Sequence, residues 1–387
     1  MPTEPTSSTA TGTLVIGGGV IGLATAWQLA RRGERVHLLE RFAEHHDLGA
    51  SHGSTRNMNN AYDEGFYLDL YDEALGLWRE LEAETGLELL RLHGLVTHGD
   101  PALVEAARET LVTRGAEVEV CAPAAARERF GGMAFEGDVL LTRQAGIVLA
   151  ARALDAFAQA ARDRGAVIEH GVRVRALDVR DAGTAGASMR VEAETADGGV
   201  RVIEAERAVV AAGAWSADLL AGLVDLPELV VTEEHPAHFP PRDPEHVWPS
   251  FNHLLPSDDL DAFGGNVYGM PSPGEGVKVG FHRVGAVVDP DDRAFRASDE
   301  QRARLRDYVA EWFPGLDADR PVEMSCTYTS TTSGRFVLDT VGALTIGAGF
   351  SGHGFKFAPA IGRVLADAAT GAALPPEPFR LAAHRSL

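Results

Sequence analysis

The glycine-rich turn near the start of the chain constrains the fold more than any other feature. Residues 13–22 read TLVIGGGVIG, an apolar run that ends in a turn containing Gly17, Gly19 and Gly22. The next segment, LATAWQLARRG, has the apolar spacing of a helix, and a second strand-like run, RVHLLE, follows it. In a G-x-G-x-x-G turn the first glycine permits the bend, the second lets the backbone approach a pyrophosphate, and the third lets helix and strand pack closely. The spacing predicts a dinucleotide-binding unit with the pyrophosphate at the helix N-terminus.

An acidic residue selects among the dinucleotides. Glu40 ends the second strand of this unit, where a carboxylate accepts hydrogen bonds from a ribose diol. A carboxylate at this place disfavours the 2′-phosphate of NADP, so the sequence favours FAD or NAD. Glycine-rich and strand-like segments recur up to the C-terminus, whereas an NAD dehydrogenase usually has a more self-contained dinucleotide module. FAD is therefore preferred over NAD.

The same recurrence predicts a discontinuous cofactor domain interrupted by a second domain. The expected fold class is α/β, with a Rossmann-like FAD-binding domain and an inserted α+β substrate domain that contains a mixed or antiparallel sheet. The predicted ranges are a flexible tail at 1–12, the FAD-binding domain at 13–85, 150–220 and 325–387, and the substrate domain at 86–149 and 221–324.

Several local signals agree with this organisation. The segment FYLDLYDEALGLWRELEAETG and residues 149–164 have helical apolar spacing. Two strands are expected around the DGG turn at 197–199. Ser298 and Gln301 have the spacing of a capping box, which predicts the start of another helix.

Charge and cysteine content exclude several classes of protein. The chain has 35 lysines and arginines against 56 aspartates and glutamates, a formal net charge of −21, and so acidic a surface repels nucleic acid. Two distant cysteines, Cys121 and Cys326, do not suggest a disulfide scaffold. The polar start MPTEPTSSTATG lacks an apolar signal core, and no stretch reaches the ~18 apolar residues of a membrane span. We therefore expect a cytoplasmic protein, monomeric or a small homo-oligomer, with no nucleic-acid or membrane partner.

A second glycine-rich loop lies near the C-terminus. Residues 344–357 read LTIGAGFSGHGFKF, a strand followed by a loop. The glycines of this segment are Gly347, Gly349, Gly352 and Gly354. A helix is expected from near Pro359 to near Gly371, because proline suits a first turn and glycine suits the residue after a last turn. Small residues let a flat ring lie against the backbone, and the helix N-terminus stabilises the negative charge of a reduced flavin.

Four separated motifs resemble one protein family. They are GASHGSTR at 49–56, YGMPSPGEGVKVGFH at 268–282, SCTYT at 325–329 and GFSGHGFKF at 349–357. Together they are similar to motifs of monomeric sarcosine oxidase and its N-methyl amino acid oxidase relatives, among the D-amino-acid-oxidase-type flavoproteins. The resemblance is collinear from residue 13 to about residue 372. It implies an FAD-dependent amine oxidase whose flavin is attached covalently to a cysteine.

The resemblance assigns that covalent link to Cys326, through its sulfur and the 8α carbon of FAD. From the residues alone, a thiolate attacks a flavin methyl only if the ring lies beside it, and an isolated cysteine is more often a small buried hydrophobe. The motif match favours the link. Cys121 matches no motif and is expected to be structural.

The VKVGFH segment presents a lysine and a histidine on one face of a strand. Strand periodicity places Lys278, Gly280 and His282 together. A lysine on a strand is usually a solvated edge residue. The resemblance instead implies that Lys278 faces the flavin and promotes its reaction with O₂, where a fixed cation stabilises forming superoxide. It also implies that His282, Tyr268 and Tyr328 line the substrate side of the cavity.

The polar stretch GASHGSTRNMNNAYDEG departs from the family at one position. By resemblance, His52, Thr55 and Arg56 lie against the flavin, and Lys356 binds the substrate carboxylate. In the family that lysine works with an arginine three residues beyond the equivalent of Arg56, where this chain has Asn59. Asparagine offers a neutral amide in place of a bidentate cation. Either the substrate differs, or a nearby arginine substitutes, or the loop is shifted.

The resemblance predicts further cofactor contacts and leaves part of the pocket unassigned. The remaining residues expected to bind the cofactor are Arg41, Val174, Gly213 and Trp215. A segment rich in proline and histidine contains side chains that we expect to shape the pocket, namely His238, His246, Trp248 and His253.

The expected reaction is oxidation of the C–N bond of a secondary amine or amino acid to an imine, by hydride transfer to the flavin, with O₂ reduced to H₂O₂. His282 and Tyr328 would orient the amine. One alternative is a flavin dehydrogenase of the same fold that uses another electron acceptor. A second alternative is a catalytically idle flavoprotein subunit.

Overall fold

The computed structural model describes residues 9–180, 186–256, 259 and 263–385. Within them the α-helices are α1 (Val20–Arg31), α2 (Gly65–Thr85), α3 (Pro101–Thr113), α4 (Pro123–Arg129), α5 (Ala150–Arg162), α6 (Ser216–Leu220), α7 (Asp299–Trp312), α8 (Ala358–Thr370) and α9 (Leu381–His384). Short 3-10 helices occupy Gly213–Trp215, Phe355–Phe357 and Glu377–Phe379. The strands are β1 (Thr9–Ile16), β2 (Val36–Leu39), β3 (Thr55–Met58), β4 (Leu90–Arg91), β5 (Leu95–Gly99), β6 (Val118–Cys121), β7 (Val139–Thr142), β8 (Gly146–Leu149), β9 (Val167–Glu169), β10 (Val172–Arg180), β11 (Ser188–Thr195), β12 (Val200–Val210), β13 (Val230–Glu234), β14 (Ala237–Phe239), β15 (Ser250–Leu254), β16 (Val267–Ser272), β17 (Gly276–Phe281), β18 (Ala286–Val287), β19 (Val322–Glu323), β20 (Cys326–Ser330), β21 (Val337–Val341) and β22 (Leu344–Ala348).

The first large sheet contains the dinucleotide-binding unit. Its order is β10-β11-β12-β1-β2-β9, and β22 pairs with both β12 and β21. Strand β1 runs parallel to β2 and to β12, as the strand–helix–strand reading of the sequence requires. The α/β fold class with a Rossmann-like unit is confirmed.

The start of this sheet differs from the expected boundary. Strand β1 begins at Thr9, and Thr9 pairs with Ile203 of β12, so residues 9–12 belong to the sheet rather than to a flexible tail. The physical reason is the length of β12, which extends far enough to offer backbone partners to these residues. The rest of the predicted tail, residues 1–8, lies outside the described residues.

Helices α1, α5 and α8 cover one side of the first sheet. The sequence of α1 is rich in small residues, which allows close packing: a Cβ added at Gly362 of α8 would lie 2.6 Å from the backbone carbon of Ala24. Large aromatic side chains fill the space between α1, α2 and α5, where Trp27 and Trp78 both pack against Phe157. This packing fixes the N-terminus of α1 at the end of β1.

The second large sheet is mixed, as expected for the substrate domain. Its order is β19-β14-β17-β16-β15-β5-β7-β6, in which β5 and β15 are parallel and the other pairings are antiparallel. Helix α7 packs against it through an aromatic cluster that includes Tyr308, Trp312 and Phe313. The second large sheet therefore has a hydrophobic core of its own.

Two three-stranded sheets link segments that the sequence assigned to different domains. Strand β3, in the polar stretch that follows the first unit, pairs with β8, which also pairs with β4. Strand β20, which begins with Cys326, pairs with β13, which also pairs with β18. The polar stretch is therefore an ordered part of the fold, held by strand pairing. The domain ranges given above stay a prediction.

The local predictions are confirmed. Ser298 and Gln301 form both hydrogen bonds of a capping box at α7, and β11 and β12 form a hairpin around the turn at 197–199. Helix α8 carries Pro359 in its first turn and ends at Gly371, whose φ of 73° is left-handed. No helix in the described part of the chain is long and apolar enough to span a bilayer.

Candidate active site

A cavity of about 740 Å³ runs from the first glycine turn to the two small sheets. It brings together almost all the residues that the sequence singled out. Those that line it are Gly17, Gly19, Glu40, Arg41, His52, Thr55, Arg56, Asn59, Val174, Gly213, Trp215, Tyr268, Lys278, His282, Cys326, Tyr328, Gly349, Gly352, Gly354 and Lys356. Gly22 lies behind the turn, because a Cβ there would collide with the carbonyl group of Gly17.

The glycine turn forms a cradle at one end of the cavity. Gly17 has a φ of 107°, and a Cβ on it would lie 2.8 Å from the carbonyl carbon of Ala211, so only glycine fits. Gly19 caps the N-terminus of α1. Glu40 accepts hydrogen bonds from the backbone N–H of Gly18 at 2.5 Å and of Phe42 at 2.8 Å. Its two oxygens retain capacity for further donors, as a ribose diol would supply.

Arg56 holds the polar loop in a closed shape. Its guanidinium donates hydrogen bonds to the carbonyl oxygens of Thr55, Ala50 and His52, at 2.8, 2.8 and 2.6 Å. Burial, and then the charge of Arg56, lower the pKa of His52, which favours a neutral imidazole. The loop therefore presents a fixed cation and a neutral histidine to the cavity.

Lys278 is a buried cavity residue and not a solvated edge lysine. Its residue is only 3% exposed, and its Nζ donates to the carbonyl oxygen of Thr55 at 3.2 Å. Burial, and then the charge of Arg56, lower the pKa of Lys278 to about 7. His238 is its register partner on β14, and burial followed by the charge of Lys278 lowers the pKa of His238 to about 4. A lysine with two protonation states near neutral pH thus faces the cavity.

A histidine and two tyrosines form another wall. The ring of His282 lies 6.4 Å from that of Tyr268 and 5.4 Å from that of Tyr328, measured between centroids. Burial, followed by the charges of Arg283 and Lys356, lowers the pKa of His282 to about 4. Burial raises the pKa of Tyr268 to about 12 and also raises the pKa of Tyr328 well above its ordinary value. All three groups are neutral at physiological pH, so they act as hydrogen-bond partners and not as charges.

Lys356 projects into the same region from the loop after β22. Its Nζ donates to the Tyr62 hydroxyl at 2.8 Å and to the His353 carbonyl oxygen at 2.9 Å. The Tyr62 hydroxyl also lies 3.2 Å from Nδ1 of His353. Burial lowers the pKa of Lys356 to about 7, so an approaching anion would favour its charged form.

The three asparagines of the polar stretch have different surroundings. Asn57 and Asn59 line the cavity, whereas Asn60 is buried and its Oδ1 accepts from the Thr142 hydroxyl at 2.9 Å. The Oδ1 of Asn59 accepts from the backbone N–H of Ala61 at 2.7 Å. Asn59 therefore belongs to the cavity wall, with its Oδ1 bonded to the backbone of its own loop.

Cys326 lies at the cavity edge, at the first position of β20. Its Sγ is 3.9 Å from the carbonyl oxygen of Ala50, and both cysteines of the chain are free thiols. Cys121 is on β6, where its Sγ lies 3.7 Å from a carboxylate oxygen of Glu119, and it does not line the cavity. Only Cys326 is placed beside the space that a cofactor would occupy.

Comparison with known proteins identifies the family. The model of the DAO family, described as FAD dependent oxidoreductase, matches residues 13–368. The chain belongs to this family of FAD-dependent oxidoreductases.

Individual relatives agree with the family match. Peroxisomal sarcosine oxidase of Mus musculus is 32% identical over 395 residues, which cover 97% of this chain and 96% of that protein. Monomeric sarcosine oxidase of Bacillus sp. (strain NS-129) is 30% identical, with 92% of each chain covered. Among solved structures, the open form of NikD, an unusual amino acid oxidase essential for nikkomycin biosynthesis, has a TM-score of 0.82 at 26% identity and covers 96% of both chains. The resemblance inferred from the four motifs is confirmed.

The cavity fits the FAD that the family uses. The Gly17 turn leaves room for a pyrophosphate at the N-terminus of α1, and Glu40 is placed for the ribose. At the other end, a Cβ on Gly352 would collide with the Tyr328 ring, and a Cβ on Gly354 would lie 2.8 Å from Cβ of Phe350. Because Gly352 and Gly354 have no side chains, the loop after β22 can pack closely against Tyr328, and space for a flat ring remains in the cavity.

Four side chains that were expected to shape the pocket do not line the cavity. His238, His246, Trp248 and His253 all lie outside its lining, which corrects that expectation. Strand alternation explains His253: Asn252 and Leu254 of β15 face the cavity, so the ring of His253 points to the other side and stacks on His98 at 4.1 Å. Trp248 is buried in the aromatic core beside Phe313.

Sequence reasoning did not single out Tyr62 and Arg283, which both line the cavity. Tyr62 follows the asparagines of the polar stretch, and an aromatic residue close to a substrate-binding position was its available signal. Arg283 directly follows His282 in the matched motif and has a φ of 65°. The sequence shows an arginine next to His282, the histidine that the resemblance assigns to the active site. The direction of the Arg283 side chain, however, depends on its left-handed backbone conformation.

Proposed function

We propose that this family member is an amine oxidase that oxidises the C–N bond of a secondary amine or amino acid to an imine and reduces O₂ to H₂O₂. The observation that carries the proposal is the buried Lys278, which faces the cavity together with Arg56 while neutral His282, Tyr268 and Tyr328 form another wall. The names of the sarcosine oxidase relatives support the same reaction class.

The chain's own residues would bind and orient the substrate. Lys356 would hold a carboxylate, because its ammonium group has two protein partners and a third proton to donate. Neutral His282 and Tyr328 would accept or donate hydrogen bonds at the amine nitrogen, keeping the amine close to the cofactor. A strong base at the carbon is not required, because the hydrogen leaves together with its electrons.

The cofactor supplies the redox chemistry. The FAD that this cavity would hold would supply a hydride acceptor and a centre that reacts with O₂. Lys278 would stabilise the negative charge that develops on reduced oxygen, and Arg56 would stabilise negative charge on the ring. We propose that the sulfur of Cys326 attaches FAD covalently at its 8α carbon, since this thiol lies at the cavity edge. The new C–S bond would replace the thiol S–H bond and one 8α C–H bond, and the two electrons released would pass to O₂ to give H₂O₂. The cytoplasmic location and the monomeric or small homo-oligomeric state remain predictions.

A peroxide-coupled screen tests the proposal. The holoenzyme is mixed under air with sarcosine, proline, pipecolate, other N-methyl amino acids and amines without a carboxylate, and H₂O₂ is measured. We expect at least one amine to yield peroxide and, without oxygen, to bleach the yellow flavin absorbance. Bleaching without peroxide under air would instead identify a dehydrogenase. A flavin that no amine bleaches would contradict the proposal and favour a catalytically idle subunit.

A further inference from the structure

Arg283 is a cavity cation that none of the reaction steps above uses. It lines the cavity and is exposed, and its Nη2 donates to the carbonyl oxygen of Thr331 at 3.3 Å. Among the described residues no carboxylate forms an ion pair with it, and that carbonyl is its one hydrogen-bond partner. Glu64, an acidic residue of the same cavity, pairs with Arg335 at 2.7 Å instead. A guanidinium has five N–H donors, so Arg283 retains most of its capacity to bind an anion.

A buried carboxylate holds the turn that presents Arg283. Glu234 Oε2 accepts hydrogen bonds from the backbone N–H groups of Val284 and Gly285, at 3.1 and 3.0 Å. Arg283 itself has a φ of 65°, a left-handed conformation that non-glycine residues adopt at an energetic cost. The structure thus holds an arginine in an unfavourable backbone conformation, and that conformation turns the guanidinium toward the loop around Gly334.

The groups next to Arg283 and to Lys356 contact different nitrogens of the His353 ring. A Cβ at Gly334 would be 3.1 Å from Nη1 of Arg283, and the Gly334 carbonyl oxygen lies 3.1 Å from Nε2 of His353. On its other side, Nδ1 of His353 contacts the Tyr62 hydroxyl, to which Lys356 donates. The charges of both cations act on His282, yet among the described residues the two share no hydrogen-bond partner, which leaves each free to bind an anionic group of its own.

We propose that Arg283 forms a second anion subsite, and that the preferred substrate is a secondary amine bearing one carboxylate for Lys356 and another acidic group for Arg283. The substrate class would be N-substituted amino acids with an acidic side chain, or amines with two carboxylate arms. This inference rests on the amine oxidase proposed above and adds the substrate class of that same site.

The main competing interpretation assigns Arg283 to the same carboxylate as Lys356. In that case it would substitute for the family arginine that Asn59 replaces. The different hydrogen-bond partners of Arg283 and Lys356 favour two subsites over one. The two interpretations differ in a measurable way, because only a second subsite discriminates between diacids and monoacids of equal length.

Ligand binding tests the subsite without turnover. The holoenzyme is titrated with butyrate and succinate, and with pentanoate and glutarate, following the flavin absorbance. We expect a diacid to bind about tenfold to a hundredfold more tightly than its monoacid, the range for a hydrogen bond to a charged group. Equal affinities within both pairs would overturn the proposal.

Three variants separate the roles of Arg283. Arg283→Asn removes the charge and tolerates a left-handed φ, so folding should be preserved, and we expect it to abolish the diacid preference. Arg283→Lys should retain part of that preference. Arg306→Met removes an equal charge from the exposed face of α7 and should change nothing. If Arg283→Asn weakened the monoacid and the diacid equally, Arg283 would share one carboxylate with Lys356 and the second subsite would be wrong.

Turnover then distinguishes this inference from the function on which it rests. For N-methylglutamate, Arg283→Asn should raise KM about tenfold or more with kcat little changed, whereas for N-methylnorvaline both constants should stay near the parent's. An unchanged KM for N-methylglutamate would count against the inference. If neither amine bleached the flavin but the diacid preference persisted, the subsite would be supported and the amine oxidase would not.

Discussion

Lys278 Nζ donates a hydrogen bond to the carbonyl oxygen of Thr55, which joins the second large sheet to the polar loop at the cavity. The bond orients a buried ammonium group, and its neighbour Arg56 contributes a second positive charge. Two cations in a low-dielectric site favour electron transfer that creates negative charge. The pair would therefore link the fold of the polar loop to the reaction with oxygen that we propose.

We expect Lys278→Met to slow flavin reoxidation about a hundredfold while changing flavin reduction by the amine much less. Loss of the cation removes the stabilisation of forming superoxide and leaves the amine's contacts intact. Stopped-flow spectroscopy separates the two half-reactions. Lys356→Met serves as the matched control and should slow reduction instead. Equal losses in both half-reactions of Lys278→Met would contradict the oxygen role.

Replacing Cys326 tests the covalent link. The parent protein should keep its yellow colour in the pellet after acid precipitation, whereas Cys326→Ser should release FAD into the supernatant, since a hydroxyl is a far weaker nucleophile than a thiolate. Cys121→Ser is the matched control and should behave like the parent. A colourless parent pellet would show that no link is formed.

The binding of carboxylate inhibitors should depend on the protonation of Lys356. Burial lowers the pKa of Lys356 to about 7, and only its ammonium form attracts an anion. Affinity for butyrate should therefore be full at low pH and fall about tenfold per pH unit above the pKa of Lys356 in the ligand-free protein, which is about 7. Titrations between pH 6 and 9 measure the effect.

Two variants identify the titrating group in that profile. Lys356→Arg stays charged throughout this pH range, so its affinity should become nearly independent of pH. Lys278 has a pKa near the same value, and Lys278→Met should leave the profile unchanged if Lys356 is responsible. If the pH dependence disappeared in Lys278→Met, the titrating group would be Lys278 and not Lys356, and the prediction would be wrong.

Sequence reasoning identified the parts of the site whose chemistry is local. The glycine turn, Glu40 and the lysine of VKVGFH each have a spacing that implies a role, and the structure places all of them at one cavity. His253 was misplaced because strand alternation gives two faces and does not say which one meets the cavity. Arg283 was missed because its direction depends on a left-handed turn held by Glu234, fifty positions earlier in the chain. The start of β1 was misplaced because its partner β12 is distant in sequence.

Gly352 sets the position of a cavity tyrosine. Its φ is 81°, and an added Cβ would lie 2.6 Å from Cζ of the Tyr328 ring, so Gly352→Ala must displace either the loop or the ring. Gly371, at the end of α8, has a φ of 73° and nothing within 4 Å of its added Cβ, so Gly371→Ala carries only the backbone strain of about 1–2 kcal/mol.

We expect both alanine variants to lower the melting temperature, but only Gly352→Ala to lower kcat/KM, by about tenfold or more. The reason is that displacement of Tyr328 moves a cavity residue that we propose contacts the amine, whereas Gly371 does not line the cavity. Differential scanning fluorimetry and peroxide-coupled kinetics measure the two effects separately. If kcat/KM fell equally in both variants, general destabilisation would explain the loss, and the contact between Gly352 and Tyr328 would have no special role in catalysis.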